Sequence, residues 1–198
     1  MTQVLARSGG SVVLRSRSRN GCKVMASLWV LLIASSVAAA VEAEDPLVEP
    51  VTVIVDRSLS QRLVAEEIRA ARRYATFWSS GEESLVRAAL SPDFMDRTLP
   101  DGRQQGIAGP IAASATVHAA IPDIRCDIEQ LIVVRDRVVV HLNFSGHFTG
   151  EFKGMPGHGQ SIHFIATDIY RIVDGRIAEN WHLEDNLALL EQLGVVTH

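Results

Sequence analysis

Asp168 is the residue whose setting in this sequence most suggests chemistry. It lies in the middle of IHFIATDIYRIVDGRIAENWHLED, residues 162–185, a segment that is otherwise mostly apolar. A carboxylate among aromatic side chains loses hydration, which disfavours its charged form and raises its pKa toward neutrality. Such an acid can accept and return a proton near pH 7, as general acid–base catalysis requires. The alternative is a structural aspartate that is hydrogen-bonded to a tyrosine, a tryptophan N–H or the backbone.

The same segment predicts two β-strands joined at Asp174-Gly175, a pair typical of a type I′ turn. With a two-residue turn, Val173 lies opposite Arg176, and side chains alternate between the two faces of the hairpin. This register places Asp168 opposite Trp181. The inner face then carries the acid together with Phe164, Ala166, Tyr170, Glu179 and Trp181, whereas His163, Asn180 and His182 fall on the outer, more polar face.

A second candidate catalytic group, His147, lies in the preceding strand, RVVVHLNFSGHFTGEF. Simple alternation puts Phe148 with the inward apolar side chains and aims His147 away from them. A bulge at Ser145-Gly146 would turn His147 back toward the acid, since glycine within a strand often marks a bulge. Asp168 and His147 are therefore the candidate catalytic residues.

Aromatic side chains gather at the end of the first predicted helix, at Tyr74, Phe77 and Trp78. Aromatic residues at helical spacing more often belong to a core than to a ligand site. They do both when a helix closes an open sheet over an apolar pocket. The candidate substrate-binding residues are Tyr74, Trp78, Phe148, Phe164, Tyr170, Glu179 and Trp181.

Metal and cofactor motifs are missing from the sequence. It contains no C-x-x-C, H-E-x-x-H, G-x-S-x-G or phosphate-binding glycine-rich loop. Cys22 lies near the N-terminus before an apolar run, so Cys126 is left without an internal disulfide partner. We expect no metal site and no cofactor.

Residues 1–43 have the pattern of a secretory signal peptide. Basic residues between Arg15 and Lys23 precede the apolar run VMASLWVLLIASSVAAAV, and small residues then offer cleavage near Ala40 or Ala43. An uncleaved membrane anchor is the alternative, because a run of this length could just span a bilayer. We expect a secreted or periplasmic protein that has no membrane contact after signal removal.

Removal of residues 1–43 would leave an acidic domain. The segment holds five Lys/Arg and one acid, so 14 basic and 22 acidic residues remain, a formal charge of −8. A domain this acidic is a poor candidate for binding nucleic acid or anionic lipid. A small apolar molecule is the partner we expect instead.

The rest of the chain predicts one α+β domain over residues 58–198, after a linker over residues 44–57 that ends in the extended run VTVIVD. Ser58 and Gln61 form a capping-box pattern before a helix that Gly81 ends. A short helix ended by Pro92, an irregular, partly extended loop over residues 91–106 and a third helix over residues 107–121 follow. A period of two then predicts strands at roughly 124–134, 137–149, 160–172 and 176–184, before a terminal helical turn. Helices followed by an antiparallel sheet indicate helices that cover one sheet face.

Four segments together resemble the SnoaL-like polyketide cyclase family, also called ester cyclases, within the nuclear transport factor 2-like superfamily. They are ARRYATFWSSGEESLVRAALSPDFMDR, GHFTGEFKGMPGHGQSI, DIYRIVDGRIAENW and EDNLALLEQLGV, and the resemblance covers roughly residues 62–195. It implies a cone-shaped, strongly curved antiparallel sheet with three N-terminal helices closing an apolar pocket, often as a homodimer through the sheet. It also implies that Asp168 matches a pocket aspartate that acts as acid/base in an intramolecular aldol ring closure without metal or cofactor. Two histidines frequent in the family match Phe148, with His147 beside it, and Arg97.

The first functional expectation is a cofactor-independent enzyme of lyase, isomerase or cyclase type. Asp168 would act as acid/base on a small, apolar, carbonyl-bearing, polyketide-like substrate. The alternative is an exported protein of the same fold that binds a small hydrophobic ligand without catalysis, and a third reading is a dimerising interaction domain with no ligand. Replacing Asp168 with asparagine separates the first two, since an enzyme loses turnover and a binding protein loses affinity.

Overall fold

The computed structural model describes residues 46–196. Its main element is a six-stranded sheet. The strands are β1 (Thr52–Val55), β2 (Leu90–Asp96), β3 (Arg125–Val134), β4 (Arg137–Phe148), β7 (Gln160–Val173) and β8 (Arg176–Glu184), with the order β1-β3-β4-β7-β8-β2. A separate two-stranded hairpin consists of β5 (Glu151–Phe152) and β6 (Met155–Pro156). The predicted signal segment, residues 1–43, lies outside the described residues.

The centre of the sheet is antiparallel, as the sequence predicts, but both edges are parallel. Strand β1 pairs in parallel with β3, and β2 pairs in parallel with β8. The extended run before the first helix thus joins the sheet as β1. Strand β2 comes from the start of the segment for which the sequence predicts an irregular, partly extended loop. The extended part pairs with β8 at the sheet edge, where the missing N–H donor of Pro92 is tolerated.

Tight turns and strict alternation explain the two central hairpins. Strand β4 alternates buried and partly exposed side chains along most of its length. Asp174 and Gly175 have φ values of 50° and 70°, the positive values that a type I′ turn requires. The observed strands end within about two residues of the predicted bounds.

Four helices accompany the sheet: α1 (Gln61–Ser80), α2 (Glu83–Ala89), α3 (Ala108–Ala120) and α4 (Asn186–Gln192). Helix α1 is capped by Ser60, whose side chain accepts a hydrogen bond from the backbone N–H of Leu63. The predicted cap, Ser58, was wrong, since Ser58 instead donates to Asp56. Gly81 ends α1 with φ 72° and donates its N–H to Phe77, as a left-handed C-terminal residue does.

The core lies between one face of the sheet and α1, which contacts β3, β4 and β8. Ala70, Ala71, Tyr74 and Phe77 give α1 its buried face, and Tyr170 on β7 meets that face edge-on. Helix α4 packs against β7. Within residues 46–196, none of the helices combines the length and hydropathy needed to cross a bilayer.

A β-bulge between β7 and β8 changes which residues face the core. Val173 lies opposite Arg176, and Ile172 lies opposite Ile177, as the turn predicts. One step further, however, Arg171 lies opposite Glu179, so Ala178 is an extra residue on β8. Beyond that point the predicted register was wrong by one residue. Asp168 lies opposite His182, not Trp181.

The bulge reverses the faces of β8, because side chains alternate along a strand. Asn180 is buried on the core side, where the sequence placed Trp181 and Glu179. Glu179 forms ion pairs with Arg97 and Arg171 instead. Trp181 lies near Arg137, whose guanidinium carbon is 5.8 Å from the ring centre.

Candidate functional site

A cavity of about 60 Å³ lies between the inner face of the sheet and the helices. Its apolar wall comes from α1, α3, β4 and β7 and includes Tyr74, Trp78, Val117, Leu142, Phe144 and Phe164. Its polar wall comes mostly from β2, β7 and β8 and consists of Asp96, Arg103, Asp168, Asn180, His182 and Glu184. An apolar chamber with a few polar groups is the usual form of a small-molecule site.

Asp168 lines this cavity from the middle of β7, and the residue is only 5% exposed. The Tyr170 hydroxyl donates to its Oδ2 at 2.8 Å, and Asn180 Nδ2 donates to the same oxygen at 3.4 Å. No hydrogen bond reaches Oδ1 from the described residues, which leaves that oxygen for a ligand.

The pKa of Asp168 is raised to about 6, and burial is the main cause. Glu184 raises the pKa further, because a second negative charge disfavours ionisation. The hydrogen bond from Tyr170, the charge of His182 and the hydrogen bond from Asn180 act in the opposite direction. Burial therefore outweighs the partners, and the carboxyl titrates close to neutral pH.

Two tyrosines adjoin the acid and remain protonated donors at neutral pH. Burial raises the pKa of both Tyr74 and Tyr170 well above the ordinary value, and the charge of Asp168 adds to the effect. Their rings meet edge-on with centres 5.9 Å apart. Tyr170 donates to Asp168, whereas Tyr74 reaches the cavity from α1.

His182 stands across the strand pair from Asp168 and lies between two carboxylates. Its Nε2 is 3.1 Å from Asp96 Oδ2, and its Nδ1 is 3.5 Å from Glu184 Oε1. Asp96 is itself fixed, because its Oδ1 accepts the backbone N–H of Thr98 at 2.9 Å. The imidazole is thereby oriented beside the acid, as an outer carboxylate commonly orients a histidine.

The structure brings four of the predicted site residues together at the cavity: Tyr74, Trp78, Phe164 and Asp168. Tyr170 lies directly behind Asp168 as its hydrogen-bond donor. Phe148 is fully buried but is not part of the cavity wall. Glu179 and Trp181 are on the other side of the sheet, as a result of the bulge in β8.

His147 lies outside the cavity, with its Nδ1 2.7 Å from Asp123 Oδ2 at the surface. The bulge that would turn it inward does not exist, since β4 pairs with β7 without interruption from Arg137 to Phe148. Gly146 serves close packing instead, because a Cβ there would lie 2.5 Å from Ile121 Cγ2. The placement of His147 in the pocket was wrong for this reason.

Sequence reasoning missed five polar residues of the cavity: Asp96, Arg103, Asn180, His182 and Glu184. Asn180 and His182 were assigned to the wrong face by the unbroken register. Asp96 had a recognisable signal, because Asp followed by Thr two residues later is a common side-chain turn. Arg103 had none, since it lies in a loop and its direction follows no period.

The arrangement can move a proton in an apolar setting. A buried carboxyl with a pKa near neutrality faces the cavity, and hydroxyl, amide and imidazole donors surround it. Among the described residues, no group of three His, Cys, Asp or Glu is placed to hold a metal ion.

Comparisons with known proteins agree with one another. The pattern of the SnoaL-like polyketide cyclase family matches residues 68–193. A provisionally assigned polyketide cyclase from Bacillus cereus is 38% identical, with a TM-score of 0.71, over 78% of this chain and 97% of its own. TsrD from Streptomyces laurentii is 25% identical, with a TM-score of 0.61, over 70% and 99%.

A provisionally assigned SnoaL-like polyketide cyclase from Jannaschia sp. CCS1 shares the fold at 22% identity, with a TM-score of 0.57, over 67% of this chain and 94% of its own. No curated protein sequence matches the chain.

Proposed function

Because the chain belongs to the SnoaL-like polyketide cyclase family, we propose that it is a cofactor-independent enzyme of cyclase or isomerase type. Asp168 acts as the acid/base on a small apolar substrate that carries a carbonyl group. The observation that carries the proposal is the Asp168 carboxyl itself, buried at the cavity with a pKa of about 6. An acid at that value is ionised often enough at pH 7 to take a proton and basic enough to hold it.

The reaction we propose begins with removal of a proton from the carbon next to the substrate carbonyl. That proton passes to Asp168 Oδ1, and the C–H electrons move to the carbonyl oxygen as an enolate. Tyr74 is a suitable donor to this oxygen, because its raised pKa keeps it protonated inside the cavity. In a ring closure, the enolate carbon then bonds to a second carbonyl carbon. The resulting alkoxide takes the proton back from Asp168, which restores the enzyme.

Asn180 supports the view that the cavity receives a polar group of a ligand. Its side chain is buried and lines the cavity, and its Oδ1 has no hydrogen-bond partner within residues 46–196. A buried acceptor without a partner is costly, and a substrate hydroxyl can supply the missing donor.

Hydrogen–deuterium exchange tests the proposal without knowledge of the natural substrate. The probes are 4-oxo-4-phenylbutanoate and its methyl ester, two aryl ketones that lose α-protons slowly in buffer. NMR in D₂O should show faster loss of the α-CH₂ signal with the protein. Asp168→Asn should reduce this rate by a factor on the order of 100 or more.

The matched control is Asp123→Asn, which removes a carboxylate at the surface beside His147. It should exchange the probes as fast as the unchanged protein. A protein that binds either probe but never accelerates exchange above the buffer rate would instead be the non-catalytic binding protein.

We also propose that the protein is exported and that residues 1–43 are removed. Support comes from the basic, apolar and small-residue order of that segment. N-terminal sequencing of protein recovered outside the cytoplasm should begin after Ala40 or Ala43. An N-terminus at Met1 in membrane-bound protein would mean an uncleaved anchor.

A further inference from the structure

Arg103 is a cation of the cavity wall whose guanidinium has no partner among residues 46–196. It is half-buried, and it forms neither an ion pair nor a side-chain hydrogen bond with any described residue. The imidazole of His182, by contrast, lies between Asp96 and Glu184. A guanidinium beside apolar and aromatic surface loses hydration, and a negatively charged partner compensates for that loss.

The backbone around Arg103 is held in place by the loop that carries it. The backbone N–H of Arg103 donates to Pro100 at 3.0 Å and closes a turn. Gln105 then ties the loop to β2, because its side-chain amide donates to the carbonyl of Asp96 and accepts the Asp96 N–H. These hydrogen bonds fix the backbone position from which the Arg103 side chain extends to the cavity.

The aliphatic stem of Arg103 packs closely against the start of α3. A Cβ at Gly109 would lie 3.3 Å from Arg103 Cγ and 2.1 Å from the carbonyl oxygen of Gln104. Only glycine lets the loop and the arginine stem approach the start of α3 this closely. A larger residue there would displace the loop.

Arg103 and Asp168 reach the polar side of the cavity from different elements. Asp168 is on β7, and its strongest neighbours are Tyr170, His182, Glu184 and Asn180 on β7 and β8. Arg103 comes from the loop between β2 and α3, and its charge acts on Tyr74 of α1. The arginine is thus a second polar group of the cavity, carried by a different element from the acid.

We propose that Arg103 is an anion subsite that binds a carboxylate carried by the substrate. The substrate class is then an apolar keto acid, with its ketone at Asp168 and its carboxylate at Arg103. The planar guanidinium fork matches a carboxylate through two parallel hydrogen bonds, a geometry that lysine does not provide. This inference rests on the proposed function only in naming the ketone as the reacting group.

A titration with the two probes tests the subsite. Calorimetry or NMR should show that 4-oxo-4-phenylbutanoate binds about tenfold or more tightly than its methyl ester, as a hydrogen-bonded charge pair predicts. In Arg103→Met the preference for the acid should fall to about one. Arg103→Lys should keep part of it, because lysine retains the charge but not the fork.

The matched control is Arg125→Met, which removes an arginine exposed on β3 and away from the cavity. It should keep the preference of the unchanged protein. Equal binding of acid and ester by the unchanged protein, failure of both to bind, or full preference in Arg103→Met would overturn the subsite.

The exchange assay separates this inference from the proposed function. Arg103-dependent binding of the acid without any exchange would support the subsite and contradict the enzyme. Exchange of the ester at the rate of the acid, with equal affinities, would support the enzyme and contradict the subsite.

Discussion

At the scale of single residues, the site depends on opposing effects on the pKa of one carboxyl group, that of Asp168. Burial raises the pKa of Asp168, and Tyr170, His182 and Asn180 pull it back to about 6. Without these partners the pKa of the acid would be higher, and less of it would be ionised at neutral pH. Without burial it would be ionised but too weak a base. The neighbours thus tune the acid as well as hold it.

Removing the Tyr170 hydroxyl should move the titration of Asp168 upward. In Tyr170→Phe the carboxylate loses its 2.8 Å donor, so its charged form becomes less favourable. The pH midpoint of probe exchange should rise by about one unit, as expected for loss of a hydrogen bond to a charged group. The measurement is the exchange rate between pH 5 and 9, and an unchanged or lower midpoint would contradict this role of Tyr170.

Residue type and alternation alone identified the acid in the sequence. Asp168, Phe164 and Tyr170 are two or four residues apart on one strand, so their common face required no knowledge of a neighbouring strand. His182 and Asn180 are on the next strand, and their face depends on the pairing between strands. Local periodicity therefore predicted the acid on β7 and failed for the polar residues of β8.

At the scale of elements, the bulge in β8 decides the composition of the site. The single extra residue, Ala178, brings Asn180 and His182 to the cavity and takes Glu179 and Trp181 away. Alanine is not a typical marker of a bulge, so the sequence carried no signal at this position. The outward position of Glu179 is reinforced by its ion pairs with Arg97 and Arg171, which lower its pKa to about 2.

Helix α1 carries a buried acid, Glu67, that the proposed reaction does not use. The residue is 1% exposed, and its Oε2 has no hydrogen-bond partner among the described residues. Burial, followed by the charge of Asp136, raises its pKa to about 7. The folded protein therefore holds this proton more tightly than the unfolded chain does. The contribution of Glu67 to stability is fully present below pH 4.5 and is lost as pH rises through 7.

Glu67→Gln should therefore stabilise the protein at alkaline pH. The variant cannot ionise, so its free energy of unfolding should exceed that of the unchanged protein at pH 8 by on the order of 1 kcal/mol. The gain should shrink toward pH 4.5, as measured by urea unfolding. Glu66→Gln is the matched control, since the Glu66 side chain is 41% exposed and paired with Arg62. A gain of equal size at both pH values would contradict the assignment.

At the scale of the whole molecule, the sequence predicted the central strands and the helical cover but not the sheet edges. The four long strands pair in the order in which they follow along the chain, and recognisable turns join β3 to β4 and β7 to β8, so local patterns sufficed. Strands β1 and β2 pair in parallel with strands distant in sequence. No turn or period links such partners, and only tertiary packing brings them together.

The outer face of the sheet is the surface through which we propose that two copies associate. Ile165 and Ile169 on β7 remain 42% and 41% exposed there. Exposed apolar side chains on one face favour contact with a second copy. Ile169→Glu should convert a dimer to a monomer in light scattering coupled to gel filtration.

Leu63→Glu is the control for that experiment, because Leu63 is an exposed apolar residue on α1, which covers the other face of the sheet. It should leave the mass unchanged. A monomeric unchanged protein, or an Ile169→Glu variant that stays dimeric, would contradict association through this face.

The pH profile of probe exchange tests the central claim, that ionised Asp168 is the base. The rate, measured in D₂O with whichever of the two probes exchanges faster, should rise with pH through a midpoint near 6, the pKa of the buried carboxyl. Asp168→Asn should show no such rise at any pH. A rate that does not depend on pH, or a midpoint near 6 that persists in Asp168→Asn, would contradict the account.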